Sequence, residues 1–178
     1  MNTNHKGDFR KDCIKRLKFI SNKSKYSKSK LIIKKLENII KDYKAENILL
    51  FLPMQIEVDI KPLILKLRKE QKNIYVPYMF GDSFKIVKYR LPLQKKKFGI
   101  YEPNNSFCKA NKIDIAIVPI VGVDSINKRI GYGKGMYDRF FDRLNYKPKI
   151  VFTQLVLCKS EKILSDNYDI QADYIITG

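Results

Sequence analysis

The chain of 178 residues holds a single histidine, at position 5. Ser-His-Asp and Cys-His catalysis need an imidazole inside a site, and histidine-rich metal sites need several. One histidine in a terminus expected to fray excludes all of these. General acid–base work then falls to carboxylates, lysine or tyrosine. Phosphoryl transfer needs little of it, because it depends on positioning, positive charge and a metal ion.

Cysteine is nearly as scarce. Cys13, Cys108 and Cys158 lie far apart, form no CxxC pair and are odd in number. That pattern reads as reduced thiols of a cytoplasmic protein. No apolar run approaches the roughly 18 residues of a membrane span. The opening "MNTNHKGDFRKD" lacks the apolar centre of a secretory signal. Acidic residues are also few: 18 Asp and Glu face 36 Lys and Arg, a net charge of +18. The positive residues are mostly lysines scattered along the chain, which reads as a solvated surface and not as a sequence-reading nucleic-acid face. Such a field also suits a small anionic substrate.

What is present is α/β patterning. Apolar residues at helical spacing predict helices over 6–20 (Phe9, Cys13, Ile14, Leu17, Ile20) and 28–43 (Leu31, Ile32, Leu36, Ile39, Ile40). "NILLFLPM" and "IDIAIVPIVGV" are continuous apolar runs, the mark of strands buried on both faces. Pro62 opens a helix running to about Glu70, with Asp59 as its cap. "NIYVPYM", "FKIVKY", "KIVFTQLVL" and "YIIT" are further strands, and "MYDRFFDRL" is a helix. The stretch 92–111 is rich in loops and too short to be a domain. The expected architecture is a single-domain α/β sandwich, residues 1–178, with a mostly parallel central sheet and helices on both faces. Ligands of such sheets bind beyond the carboxyl ends of the strands.

One such end carries "RIGYGKGMYDRFFDR", residues 129–143. Gly131, Gly133 and Gly135 let backbone amides approach an anion. Lys134 adds a point charge, and Arg129 has the fork geometry that suits phosphate. The spacing is neither that of Walker A nor that of the Rossmann fingerprint. A plain glycine turn between strand and helix reads the local sequence about as well. Asp138 reads either as an acid at a helix start or as a Mg²⁺ ligand beside phosphates.

The run Arg129-Ile130-Gly131-Tyr132-Gly133-Lys134-Gly135-Met136-Tyr137-Asp138-Arg139 resembles the R-L-G-x-G-x-G-Y-Y-D-R loop of the 5-formyltetrahydrofolate cyclo-ligase family. "KGDFR", "FLPMQIEVDIKPLI", "FGIYEP", "IDIAIVPIVGVD" and "NYDIQADYIIT" resemble other family segments in the family's order. The resemblance implies cyclisation of 5-formyltetrahydrofolate (folinic acid) to 5,10-methenyltetrahydrofolate, with ATP as co-substrate and Mg²⁺ as metal. It implies ATP contacts from Lys6, Arg10 and residues Arg129, Ile130, Gly131, Tyr132, Gly133, Lys134, Gly135, Met136 and Tyr137, with Arg129 and Lys134 catalytic. Leu52 and Glu57 would bind the folate, Glu57 at its pterin end, and Asp138 and Asp169 would hold the metal. A cytoplasmic monomer with no specific nucleic-acid or membrane partner is expected. The chain departs from the family at Tyr132, where many members carry Arg or another residue, at Met136, where the pattern has Tyr, and at Ile120, where many have Gly. Two other readings stand beside this one: a basic RNA-binding module using Tyr75, Tyr78 and Tyr89, and a nucleotide-binding protein of the same fold without folate activity.

Overall fold

In the computed structural model, residues 5–96, 101–103 and 112–178 are described. The chain opens with α1 (His5–Asp42), a helix that leaves helical geometry at Ser24 (φ −142°, ψ 18°). The two helices predicted there are thus the two arms of one bent element. Leu17 of the first arm and Ile32, Leu36 and Ile40 of the second are buried in the same apolar cluster.

β1 (Asn47–Leu49), α2 (Lys61–Lys69) and β2 (Asn73–Phe80) follow, then β3 (Ser83–Lys88). Pro62 lies in the first turn of α2, and Leu63, Ile64 and Leu67 form its buried face. Ile60 is the N-cap residue, so Asp59 stands one position earlier than a cap, where its Oδ1 accepts from Lys61 N at 3.3 Å. β4 (Leu93–Lys95) and β5 (Tyr101–Pro103) pair antiparallel inside the segment read as loop. Cys108 and part of the "FGIYEP" turn lie outside the described residues.

β6 (Ile115–Pro119) and β7 (Gly122–Val123) divide what the sequence shows as one apolar run. β8 (Arg129–Ile130), α3 (Met136–Asp142), β9 (Lys149–Gln154) and β10 (Tyr174–Thr177) complete the chain. The main sheet has the order β10-β9-β6-β1-β2-β3, parallel throughout except for the β2–β3 hairpin at its edge.

Both faces of this sheet are covered, which explains the unbroken apolar runs. Ile48, Ile115, Ile117 and Val151 pack with α1 and α2 on one side. Their neighbours Leu49, Ala116, Val118, Ile150 and Phe152 pack with Phe140 of α3 on the other. Each strand contributes to the two cores by turns, as the period of two requires.

One expectation fails here. Cys13 and Cys158, 145 residues apart, are joined by a disulfide with Cα atoms 5.9 Å apart. The sequence reading of three reduced thiols rested on their separation along the chain. The fold cancels that separation by laying the first arm of α1 against the loop after β9.

Candidate active site

β1 connects onward to β2 on one side, while β6, its other neighbour, leads toward β9 on the far side. The strand order diverges between these two, the place where open α/β sheets bind ligands. A cavity of about 290 Å³ lies there. It is lined by Phe51, Leu52, Met54 and Glu57 after β1, Pro119 at the end of β6, and Pro77, Met79 and Phe84 of the hairpin. Arg129, Tyr132 and residues 134–137 close it.

Glu57 is only 6% exposed. The tight loop 54–57 places it: Glu57 Oε2 accepts from Met54 N at 2.7 Å, and Lys25 of α1 holds the loop by donating to Met54 O and Gln55 O at 3.1 and 2.6 Å. Burial pushes the Glu57 carboxyl up to about 7, against the opposing pull of the Met54 N–H, Arg129, Lys25 and the Tyr132 hydroxyl. Burial, followed by the charge of Glu57, also raises the nearby Tyr132 phenol. The Tyr132 hydroxyl is buried close enough to the Glu57 carboxylate to favour its ionised form, though no hydrogen bond of good geometry to that hydroxyl forms among the described residues.

The glycine loop forms the other part of the lining. Arg129 is 5% exposed, and its guanidinium faces inward. Nε and Nη2 donate to Pro119 O at 3.3 and 3.1 Å, and Nη1 lies 3.4 Å from Asp138 Oδ2. A buried cation needs such partners. Gly131 packs over it so closely that a Cβ there would sit 2.3 Å from Nη1. Gly133 and Gly135 have φ of +96° and +61°, where side chains other than glycine are strained. Arg10 Nε donates to Gly131 O at 2.7 Å. Lys134 is exposed at the cavity.

Asp138 and Asp169 are both buried. Asp138 Oδ1 accepts from Ile170 N at 3.3 Å, so its carboxylate reaches the residue next to Asp169. Asp169 Oδ2 lies 2.5 Å from Lys6 Nζ, which also meets Asp166 at 2.8 Å. Burial alone would lower the Lys6 ammonium, but its hydrogen bonds to Asp166 and Asp169 prevail and hold it above its ordinary value. Among the described residues no cluster of three or more His, Cys, Asp or Glu forms. Mg²⁺ takes one or two carboxylates beside phosphate oxygens and water, and here Asp138 and Asp169 each face a cation of the chain, Arg129 and Lys6.

The sequence model of the 5-formyltetrahydrofolate cyclo-ligase family matches residues 2–178. The chain belongs to the 5-formyltetrahydrofolate cyclo-ligase family. It is 29% identical to the 5-formyltetrahydrofolate cyclo-ligase of Haemophilus influenzae over 79% of this chain and 80% of that protein. The NMR structure of Aquifex aeolicus 5,10-methenyltetrahydrofolate synthetase superposes with a TM-score of 0.81 at 28% identity, covering 97% of this chain and 89% of that one. A 5,10-methenyltetrahydrofolate synthetase from Mycoplasma pneumoniae superposes with a TM-score of 0.74 at 25% identity, covering 97% and 98%. Membership in the cyclo-ligase family makes the chain a ligase of folate one-carbon chemistry.

The structure gathers most of the residues singled out in the sequence. Leu52, Glu57, Arg129, Tyr132, Lys134, Gly135, Met136 and Tyr137 line the cavity. Arg10 and Lys6 reach the loop and the acidic pair through α1, so Lys6 is not a loose terminal charge. Ile130 is fully buried and belongs to the support of the loop. Tyr75, one of three aromatics that an RNA face would use, is fully buried in the core. Sequence reasoning missed Lys25 and Asp166. Lys25 is one lysine among many on α1, and only the fold shows its ammonium spent on the loop that carries Glu57. No helix among the described residues is long and apolar enough to cross a membrane.

Proposed function

We propose that the chain, acting as one domain and as a monomer, uses Mg-ATP to close 5-formyltetrahydrofolate into 5,10-methenyltetrahydrofolate, releasing ADP and phosphate. The observation that carries this reading is one cavity lined both by a buried carboxylate, Glu57, and by the glycine loop with Lys134. An apolar pocket with an acceptor suits a pterin. A glycine-rich backbone with the Lys134 ammonium at its rim suits a triphosphate.

The amide-like formyl oxygen is a poor leaving group. Its attack on the γ-phosphate makes it a good one and leaves the formyl carbon electrophilic. The neighbouring nitrogen then closes the ring and phosphate departs. This route asks for alignment and charge, not for an imidazole. Glu57, ionised, accepts the adjacent amino and ring N–H donors of the pterin and so fixes the formyl group. Lys134 neutralises charge on the transferring phosphoryl group. Lys6 and Arg10 add positive charge on the same side. Arg129 holds Asp138 and Pro119 O in place, and its charge contributes from within the wall. Asp138 and Asp169 would hold Mg²⁺, which when bound supplies charge neutralisation on the phosphates.

Mixing the protein with Mg-ATP and folinic acid tests this directly. The near-ultraviolet absorbance of methenyltetrahydrofolate is expected to grow, and to require both ATP and Mg²⁺. Product formed at full rate in EDTA without ATP would overturn the mechanism.

A further inference from the structure

We propose that Arg139 is a positioning residue for the glycine loop, a brace between that loop and the tip of the β2–β3 hairpin that sets ATP affinity without touching phosphate. The proposal rests on the reading that the loop binds ATP.

The loop has little of its own to keep it in one shape. Gly133 and Gly135 occupy left-handed backbone regions that glycine enters freely and leaves as freely. Its peptide units are instead fixed from outside, through their carbonyls. Arg10 donates to Gly131 O at one end. At the other, Arg139 Nη2 donates to Lys134 O at 2.5 Å. A trans peptide unit is planar, with its C=O and N–H pointing in opposite directions. Holding Lys134 O therefore turns the N–H of Gly135 to the side away from Arg139. Lys134 and Gly135 line the cavity, and Arg139 does not. Arg139 thus takes a carbonyl on the outside of the loop and turns an amide to the inside, as an anion cradle requires.

Arg139 is itself anchored. Its Nε donates to Asp82 O at 2.9 Å, its Nη2 also donates to Asp82 O, and Asp82 Oδ2 lies 3.3 Å from Nε. Asp82 sits in the two-residue turn between Phe80 and Ser83, which pair across the hairpin. Ser83 adds a second tie by donating to Met136 O at 2.9 Å. With Nε and Nη2 committed to backbone carbonyls and a carboxylate, this guanidinium is held as a strut, and it stands outside the cavity lining. The same hairpin lines the cavity with Pro77, Met79 and Phe84, so the brace fastens the phosphate side to the apolar side.

Arg143 provides the control. It also pairs with Asp82, its Nη2 lying 3.1 and 3.0 Å from the two carboxylate oxygens, but it has no hydrogen bond to the loop among the described contacts. The experiment measures binding of a non-hydrolysable ATP analogue with Mg²⁺, and the Michaelis constants for ATP and folinic acid, in wild type, Arg139→Ala, Arg139→Lys and Arg143→Ala. Both Arg139 variants are expected to weaken analogue binding by about tenfold, the worth of a hydrogen bond to a charged group. Folinic acid constants should stay within about twofold. Arg139→Lys keeps the charge but not the planar fork, so it should fail to rescue. Arg143→Ala should move neither constant. Full rescue by Arg139→Lys would mean that the charge acts on ATP directly, and an equal loss in Arg143→Ala would mean that the hairpin only needs its anchors. Either result overturns the brace. A wild-type protein that does not bind the analogue would overturn the ATP reading of the loop itself.

Discussion

Glu57 and Asp138 are equally buried carboxylates on two parts of one site, and they are held in opposite ways. Glu57 has one close backbone donor, from Met54, the Tyr132 hydroxyl beside it and no ion pair among the described residues, and burial raises it to about 7. Asp138 faces the Arg129 guanidinium and the Ile170 N–H. A lone buried acceptor is costly to hold ionised and awaits donors from a ligand. A paired one is part of the framework. On the proposed function, the first carboxylate would read the substrate and the second would support the phosphate side.

Removing each in turn is the strongest way to break this contrast. Asp138→Ala leaves Arg129 buried without its acid, and losing one partner of a buried pair costs about 3–5 kcal/mol. Thermal or urea unfolding should show a loss of that size, together with lost turnover. Unchanged stability would mean that Pro119 O alone satisfies Arg129. Glu57→Gln should show no comparable loss, since no ion pair is broken.

Next in size is the division between the two substrates. Lys134→Ala should leave the fold intact and weaken ATP, with a cost of about 1.5–3 kcal/mol for a charged phosphate contact. Glu57→Gln should cost about 2 kcal/mol in folinic acid efficiency, because it sets a donor against a donor. The Michaelis constant for ATP should move much less. A Glu57→Gln protein impaired for ATP and normal for folinic acid would show that the two parts have been exchanged.

The same contrast shows what was legible in the sequence. The phosphate side is local: Arg129 to Asp138 are consecutive, and three glycines around a lysine signal close backbone approach even before the resemblance is invoked. The sheet was legible too, because strands covered on both faces leave continuous apolar runs. Element ends were not. "NILLFLPM" is a strand only to Leu49, since the chain must leave the sheet there to wall the cavity. The inward turn of the Arg129 guanidinium was hidden because its acceptor is a backbone carbonyl, Pro119 O, with no sequence signal. The Cys13–Cys158 bridge was hidden for a related reason: it depends on how α1 lies on the loop after β9, a long-range contact that spacing does not encode.

The smallest effect, and the one that sharpens the contrast most, is the pH dependence at Glu57. Its carboxyl sits near 7 in the ligand-free fold, above the ordinary 4.5. A pterin edge offers two donors, which only the ionised form accepts in full. Folinic acid affinity should therefore rise with pH through 7, with its Michaelis constant falling by roughly tenfold between pH 6 and pH 8 as the ionised fraction grows. Stability should move the other way. The folded state binds the Glu57 proton more tightly than the unfolded state does, so this group's stabilisation is present below about 4.5 and is lost as pH rises through 7. Titrating folinic acid and the unfolding midpoint over that window, in wild type and Glu57→Gln, separates this carboxyl from every other. The variant should be flat in affinity and should lose less stability than wild type toward pH 8. A wild-type protein whose folinic acid constant is level from pH 6 to 8 would show that Glu57 is already ionised without its ligand, and that the lone buried acceptor is paired after all.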